Sequence, residues 1–264
     1  MTDVTPLAPE LSFQEFGDAG DPPLFLVHGL YGDSTSMAPL AEAFAARGFR
    51  AVAVDALGHG TSPAPDGFTL ADSGAALDAL IARLGYDSAA VLGVSMGSYV
   101  AAQAAIIEPA RISHLVLVVT KGQGATSSVV AYAKRNGFDL ANATMDETIA
   151  FMAGALWSPH TPLERREALL VEQGTSRELT QQDRAAVDRS LANFDLRPGL
   201  PSITAPTLVV SGRSDGLNPP EVGQEVATLI PGARFEVYEH SGHMLADEEL
   251  DRLVDEVTKL VLGA

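Results

Sequence analysis

Short apolar runs at residues 24–27, 51–54, 89–94, 115–119 and 207–210 constrain this chain most, because nearly every position in them is hydrophobic. A strand with one face in water alternates apolar and polar residues, so runs without alternation must be covered on both faces. Sheets of that kind are parallel, and parallel strands need long crossovers. The intervening stretches 37–46 and 71–84 carry apolar residues at helical spacing, giving a βαβα order. A sixth strand-like stretch is Arg234-Phe235-Glu236-Val237-Tyr238, and residues 248–262 form an amphipathic closing helix. The expected fold class is α/β, with a mostly parallel, doubly covered sheet. Between residues 121 and 206 the strand-like runs stop and helical spacing takes over. Loops there contain Ser158-Pro159-His160-Thr161-Pro162 and Arg197-Pro198. The chain therefore divides into a core of residues 1–120 and 207–264 and a helical cap insertion of residues 121–206.

Charge and composition narrow the classes of function. A formal net charge of −17 opposes phosphate backbones and anionic membranes, so neither nucleic acid nor a membrane is expected as a partner. No apolar run is long enough to span a bilayer, and Met1-Thr2-Asp3-Val4 has neither the basic region nor the apolar stretch of a secretion signal. The expected location is cytoplasmic. With no cysteine there is no thiolate nucleophile and no Cys-type zinc site. His240 and His243 are three residues apart, but Ser241-Gly242 between them reads as a loop and no further ligand completes a set, so no metal and no cofactor is expected.

Chemistry concentrates at Gly93-Val94-Ser95-Met96-Gly97, where an apolar strand gives way to an alanine-rich helical stretch. A serine between glycines at a strand-to-helix turn is a nucleophile elbow: the glycines permit the close approach of strand and helix, and the turn pushes the serine out. A serine hydroxyl needs a base to take its proton and an acid to orient that base. His243 lies in a loop after the last strand-like stretch, and Asp215 follows Val209-Val210 in Gly212-Arg213-Ser214-Asp215-Gly216. Both loops belong at the carboxyl edge of a parallel sheet, where ligands bind. The candidate catalytic set, in chain order, is Ser95, Asp215 and His243.

That order, together with His28-Gly29-Leu30-Tyr31-Gly32 after the first apolar strand and Asp55-Ala56-Leu57-Gly58-His59-Gly60-Thr61-Ser62 after the next, resembles the α/β-hydrolase fold superfamily, in particular its compact capped serine esterases and lactonases. The resemblance runs over residues 24–262. It implies that the acid follows the strand at 207–210 or, less often, the one at 115–119. The latter leads into Val119-Thr120-Lys121-Gly122, without a carboxylate, which favours Asp215. It also implies an oxyanion hole made by the backbone N–H groups of Leu30 and Met96. His28 is read as shaping the oxyanion loop, and Asp55 and His59 as parts of a structural turn.

The insertion, by the same resemblance, covers the nucleophile and supplies side chains that touch the substrate. Its large apolar residues are Phe138, Phe151, Met152, Leu156, Trp157 and Phe194, most of them expected to hold the insertion together. Tyr31 and Trp157 are the expected pocket residues. Lys134-Arg135 is weighed as a carboxylate-binding pair against an exposed helix face. The expected function is serine hydrolysis of a small to medium, largely apolar ester, lactone or thioester through an acyl-enzyme. Alternatives are carbon-carbon bond hydrolysis of vinylogous diketones, a cofactor-free perhydrolase of the haloperoxidase type, and a non-catalytic small-molecule receptor. The expected partner is a small-molecule substrate, and no oligomeric state is assigned.

Overall fold

A computed structural model describes residues 8–263, so the reading of Met1-Thr2-Asp3-Val4 lies outside the described residues. The chain begins with β1 (Phe13–Phe16), β2 (Pro23–Val27), α1 (Ala38–Ala45), β3 (Arg50–Val54), α2 (Leu70–Arg83), β4 (Ala89–Val94), α3 (Met96–Ile107) and β5 (Ile112–Val118). Four helices follow: α4 (Ser128–Arg135), α5 (Met145–Leu156), α6 (Leu163–Glu172) and α7 (Gln181–Ser190). The strand pattern then resumes with β6 (Thr207–Gly212), α8 (Pro220–Leu229), β7 (Arg234–Tyr238), α9 (Leu245–Glu248) and α10 (Leu250–Leu262).

Seven strands form one sheet in the order β1-β3-β2-β4-β5-β6-β7, parallel except for β1, which pairs antiparallel with β3. The sequence reading did not contain β1. Its four residues, Phe-Gln-Glu-Phe, occupy the sheet edge with Gln14 and Glu15 exposed, so they lack the apolar run that marks the buried strands. Alternate residues of the inner strands feed two cores. Leu24, Leu26, Leu92, Val116 and Val210 pack with Phe44 and Leu253 on one face. Phe25, Val27, Val91, Leu117 and Val209 pack with Leu77, Leu80 and Val226 on the other. Both faces are dry, as the unbroken apolar runs require.

Local signals set the helix starts. Thr69 opens α2 and Thr144 opens α5 with reciprocal capping boxes, to Asp72 and Glu147 respectively. The closing helix is interrupted at Glu249, which separates α9 from α10. Strand order reverses across β3-β2-β4, and loops leaving the carboxyl ends of these strands open into the crevice that the fold provides for ligands. Among the described residues no helix is long and apolar enough to cross a membrane.

Candidate active site

Ser95 sits between the end of β4 and the start of α3 with φ 52° and ψ −116°, a left-handed conformation that costs a non-glycine residue of order 1–3 kcal/mol. The surroundings enforce it. A Cβ on Gly93 would lie 2.2 Å from the Gly97 carbonyl oxygen, and one on Gly97 would lie 2.1 Å from the carbonyl oxygen of Val27. Strand, turn and helix therefore touch backbone to backbone, which leaves no room for side chains at either glycine. The Ser95 N–H donates to the Val118 carbonyl at 2.9 Å, anchoring the turn to β5.

Three loops bring the candidate catalytic residues together. His243 Nε2 lies 2.9 Å from Ser95 Oγ, and its Nδ1 lies 2.8 Å from Asp215 Oδ2. A carboxylate only accepts, so Nδ1 carries the proton and donates to Asp215, which leaves Nε2 as an acceptor for the serine hydroxyl. Asp215 is itself fixed: its Oδ1 accepts the N–H groups of Leu217 at 2.8 Å and Asn218 at 2.9 Å. The His243 N–H donates to the Leu156 carbonyl at 2.7 Å, so the end of α5 holds the histidine loop.

Asn218 is a positioning residue that sequence reasoning missed. It is buried, donates through Nδ2 to Tyr99 Oη at 2.8 Å and to the Val119 carbonyl at 2.7 Å, and accepts from Ser128 Oγ at 2.7 Å. One side chain thus joins the β5 end, the acid loop and α4. The only sequence signal was its place three residues after Asp215, which carries no distinctive meaning.

Leu30, in the loop after β2, and Met96, at the start of α3, line the same cavity. The Leu30 N–H has no acceptor among the described residues, and the Met96 N–H is the first of α3, without an intrahelical partner. Two unengaged donors beside Ser95 suit an oxyanion. His28 shapes this loop: with Nδ1 donating to the Gly29 carbonyl at 2.7 Å, its Nε2 accepts the Ala56 N–H at 3.1 Å. Burial lowers its pKa and pushes that of His59, edge-on at 4.9 Å, down to about 3. Both rings are neutral struts. Asp55 accepts the N–H groups of Ser34 at 2.7 Å and Thr61 at 2.9 Å, in keeping with a structural turn.

A cavity of about 1100 Å³ opens between these loops and the helices of the 121–206 segment. Tyr31, Met152, Leu156 and Phe194 line it; Trp157 does not. The placement of Trp157 in the pocket is therefore corrected. Met152 and Leu156 are four apart on α5 and share its inward face, whereas the chain becomes extended at Trp157, whose side chain is buried outside the cavity. Phe138 and Phe151 stack on each other at 4.0 Å and act as internal glue. Lys134 and Arg135 are also absent from the cavity wall; the Arg135 guanidinium donates to the Gly216 carbonyl instead. The cation that does line it is Lys121, in the stretch after β5 that carries no carboxylate.

This fold and this arrangement at the carboxyl edge of the sheet define an α/β-hydrolase architecture. The family model described as alpha/beta hydrolase fold matches residues 22–250, and the chain belongs to that family. It is 29% identical over 256 residues to a Mycobacterium tuberculosis protein provisionally named as the non-heme bromoperoxidase BpoC, covering 89% of this chain and 90% of the relative. The pimeloyl-[acyl-carrier protein] methyl ester esterase of Aliivibrio salmonicida is 26% identical over 264 residues, covering 95% of each chain. The crystal structure of a hydrolase from Pseudomonas aeruginosa superposes with a TM-score of 0.78 at 29% identity, covering 96% of this chain and 94% of that one.

Proposed function

We propose that the protein is a serine hydrolase that cleaves a carboxylic ester, thioester or lactone through an acyl-enzyme. The observation that carries this reading is the continuous hydrogen-bonded line from Ser95 Oγ through His243 to Asp215, at 2.9 and 2.8 Å, at the floor of an apolar-lined cavity. Relatives named as an esterase and a hydrolase support the class of chemistry.

In the first half-reaction Ser95 Oγ attacks the scissile carbonyl carbon while its proton passes to His243 Nε2. The carbonyl oxygen becomes the oxyanion and takes the N–H groups of Leu30 and Met96. Losing one such donor raises a barrier of this kind by about 3–4 kcal/mol. Collapse of the tetrahedral intermediate breaks the bond to the leaving oxygen or sulfur, which receives the proton from His243. In the second half-reaction water gives a proton to His243 and its oxygen attacks the acyl carbon; Ser95 Oγ then leaves and regains the proton. Asp215 stays ionised throughout and holds the imidazolium that forms twice per cycle. Peroxide in place of water would release a peracid, so products are best read by mass.

A fluorophosphonate probe followed by peptide mapping tests the nucleophile. Label on Ser95, and loss of p-nitrophenyl ester hydrolysis by more than a thousandfold in Ser95→Ala, is the expected result. Equal rates in the two proteins, or label elsewhere, would refute it.

A further inference from the structure

The proposed acyl-transfer site contains a cation that its chemistry does not use. Lys121 lines the cavity just past β5, beyond Val119, a β-branched residue at φ 48°. That strained turn is held by the Val119 N–H on the Val210 carbonyl at 2.8 Å and by Asn218 Nδ2 on the Val119 carbonyl at 2.7 Å. Lys121 is partly buried, and its Nζ stands 6.0 Å from the Tyr99 ring centroid and 5.9 Å from that of Phe194. Both rings line the same cavity.

What the ammonium lacks is an anion. Of its three donors, one reaches an acceptor, the Thr126 carbonyl at 3.2 Å, and among the described residues Lys121 forms no ion pair. Desolvation by burial lowers its pKa, and no neighbouring charge offsets that. The two carboxylates on the cavity wall are engaged elsewhere: Asp188 accepts the Tyr31 hydroxyl at 2.6 Å and Asp247 accepts the Gln173 amide at 2.8 Å. A partly desolvated ammonium beside a packed pair of aromatic rings, with free donors and no counter-charge, is a site that an anionic group would complete.

We propose that Lys121 forms an anion subsite and that the preferred substrate carries a carboxylate at a distance from the scissile carbonyl, the half-ester of a dicarboxylic acid being the simplest example. This rests on the serine-hydrolase reading. The carboxylate pairs with Lys121 Nζ while the ester carbonyl reaches Ser95, so chain length between the two groups selects the substrate. With a net charge of −17 the molecule as a whole repels anions, and a cation inside the cavity is what makes a carboxylate acceptable there.

The test compares monomethyl esters of dicarboxylic acids of increasing length with neutral methyl esters of the same lengths, in wild type, Lys121→Met and Lys121→Arg. One half-ester is expected to exceed its neutral counterpart in kcat/KM by about 10- to 100-fold, the range of a charge-assisted hydrogen bond in a partly dry site. Lys121→Met should remove that preference, chiefly through KM, and leave neutral esters within about threefold; Lys121→Arg should keep part of it. Neutral and half-esters cleaved alike by wild type, or equally weakened by Lys121→Met, would overturn the subsite while leaving the hydrolase reading intact. If wild type cleaves no ester, the hydrolase reading fails, and calorimetric binding of the half-ester to Ser95→Ala with and without Lys121→Met decides the subsite alone. At least tenfold weaker binding without the lysine supports it, and equal binding refutes it.

Discussion

Replacing Asp215 by asparagine changes one atom, and the structure dictates which way the new amide must point. Asp215 Oδ1 accepts two backbone N–H groups, from Leu217 at 2.8 Å and Asn218 at 2.9 Å, while Oδ2 accepts His243 Nδ1 at 2.8 Å. If the amide nitrogen took the first position it would face two donors and leave both without acceptors, at about 1–3 kcal/mol each. The oxygen therefore stays with the loop, and the NH2 group faces His243. Nδ1 must then accept, so the ring proton moves to Nε2, where it can no longer receive the proton of Ser95. A preference of roughly 2–6 kcal/mol for this orientation holds at least about 97% of the molecules in the wrong tautomer. The imidazolium also loses its counter-charge. Together these effects are expected to lower kcat by about 10⁴-fold. Melting temperature should change by only a few degrees, because shape and loop bonds persist. Stopped-time hydrolysis of an activated ester, with mass spectrometric acylation of Ser95 as a second readout, checks this. A loss below tenfold in a folded protein would refute the assignment of Asp215 as the acid and the orientation argument with it.

Two further outcomes follow from groups outside that line. Tyr31, at φ 64° in the proposed oxyanion loop, is held by Asp188 at 2.6 Å and lies under the Arg184 guanidinium at 4.2 Å; burial raises its pKa to about 12, so it is a neutral donor. Tyr31→Phe should loosen the Leu30 N–H and reduce kcat about 3- to 10-fold with little change in melting temperature; unchanged kcat would show that the loop holds its shape without α7. Asp78, buried with neither carboxylate oxygen bonded, has its pKa raised to about 7 by desolvation. Its folded-state pKa lies above the ordinary value, so the folded protein holds the proton more tightly and stability falls as pH rises from about 4 through 7. Asp78→Asn removes this penalty, of order 2–4 kcal/mol at pH 8, and should raise the melting temperature there by several degrees but hardly at pH 4. An equal shift at both values would refute it.

Much of the architecture was legible because burial on both faces leaves a compositional trace. The runs at 24–27, 51–54, 89–94, 115–119 and 207–210 fall on β2 to β6, although β5 starts three residues before its run and ends one residue short of it, and the elbow's glycines announce backbone contacts that admit no Cβ. The edge strand β1 was not legible, since half its surface meets solvent and its pairing leaves no periodic signal in four residues. Side-chain direction in the 121–206 segment was the weakest inference. Trp157 and Leu156 are adjacent in sequence, yet the backbone turns extended between them and sends only Leu156 into the cavity. Lys121 and Asn218 were invisible for another reason: each acquires meaning only from groups that the fold brings close, Tyr99 and Phe194 for one, Val119 and Ser128 for the other.

Backbone strain offers an independent view of where the site lies. Among the described residues the non-glycine positions with positive φ are Tyr31, Ser95, Val119 and Asn193. Three of these line the cavity, and the fourth lies two residues before Lys121, which also lines it. At about 1–3 kcal/mol each, such residues would be eliminated from an inert surface, because other local conformations are open to them there. Here each is held by bonds to a neighbouring element or within its own loop: Ser95 N–H to Val118, Val119 N–H to Val210, Asn193 N–H to the Gly124 carbonyl, and the Tyr31 loop closed by Gly32 N–H on Gly29. The bonds that hold Ser95 and Val119 belong to the central parallel strands, whose burial resists local opening. A sheet rigid enough to carry its strained residues at one edge can keep a serine and two N–H donors in fixed relation without a ligand to organise them, which is the preorganisation that the proposed acyl transfer requires.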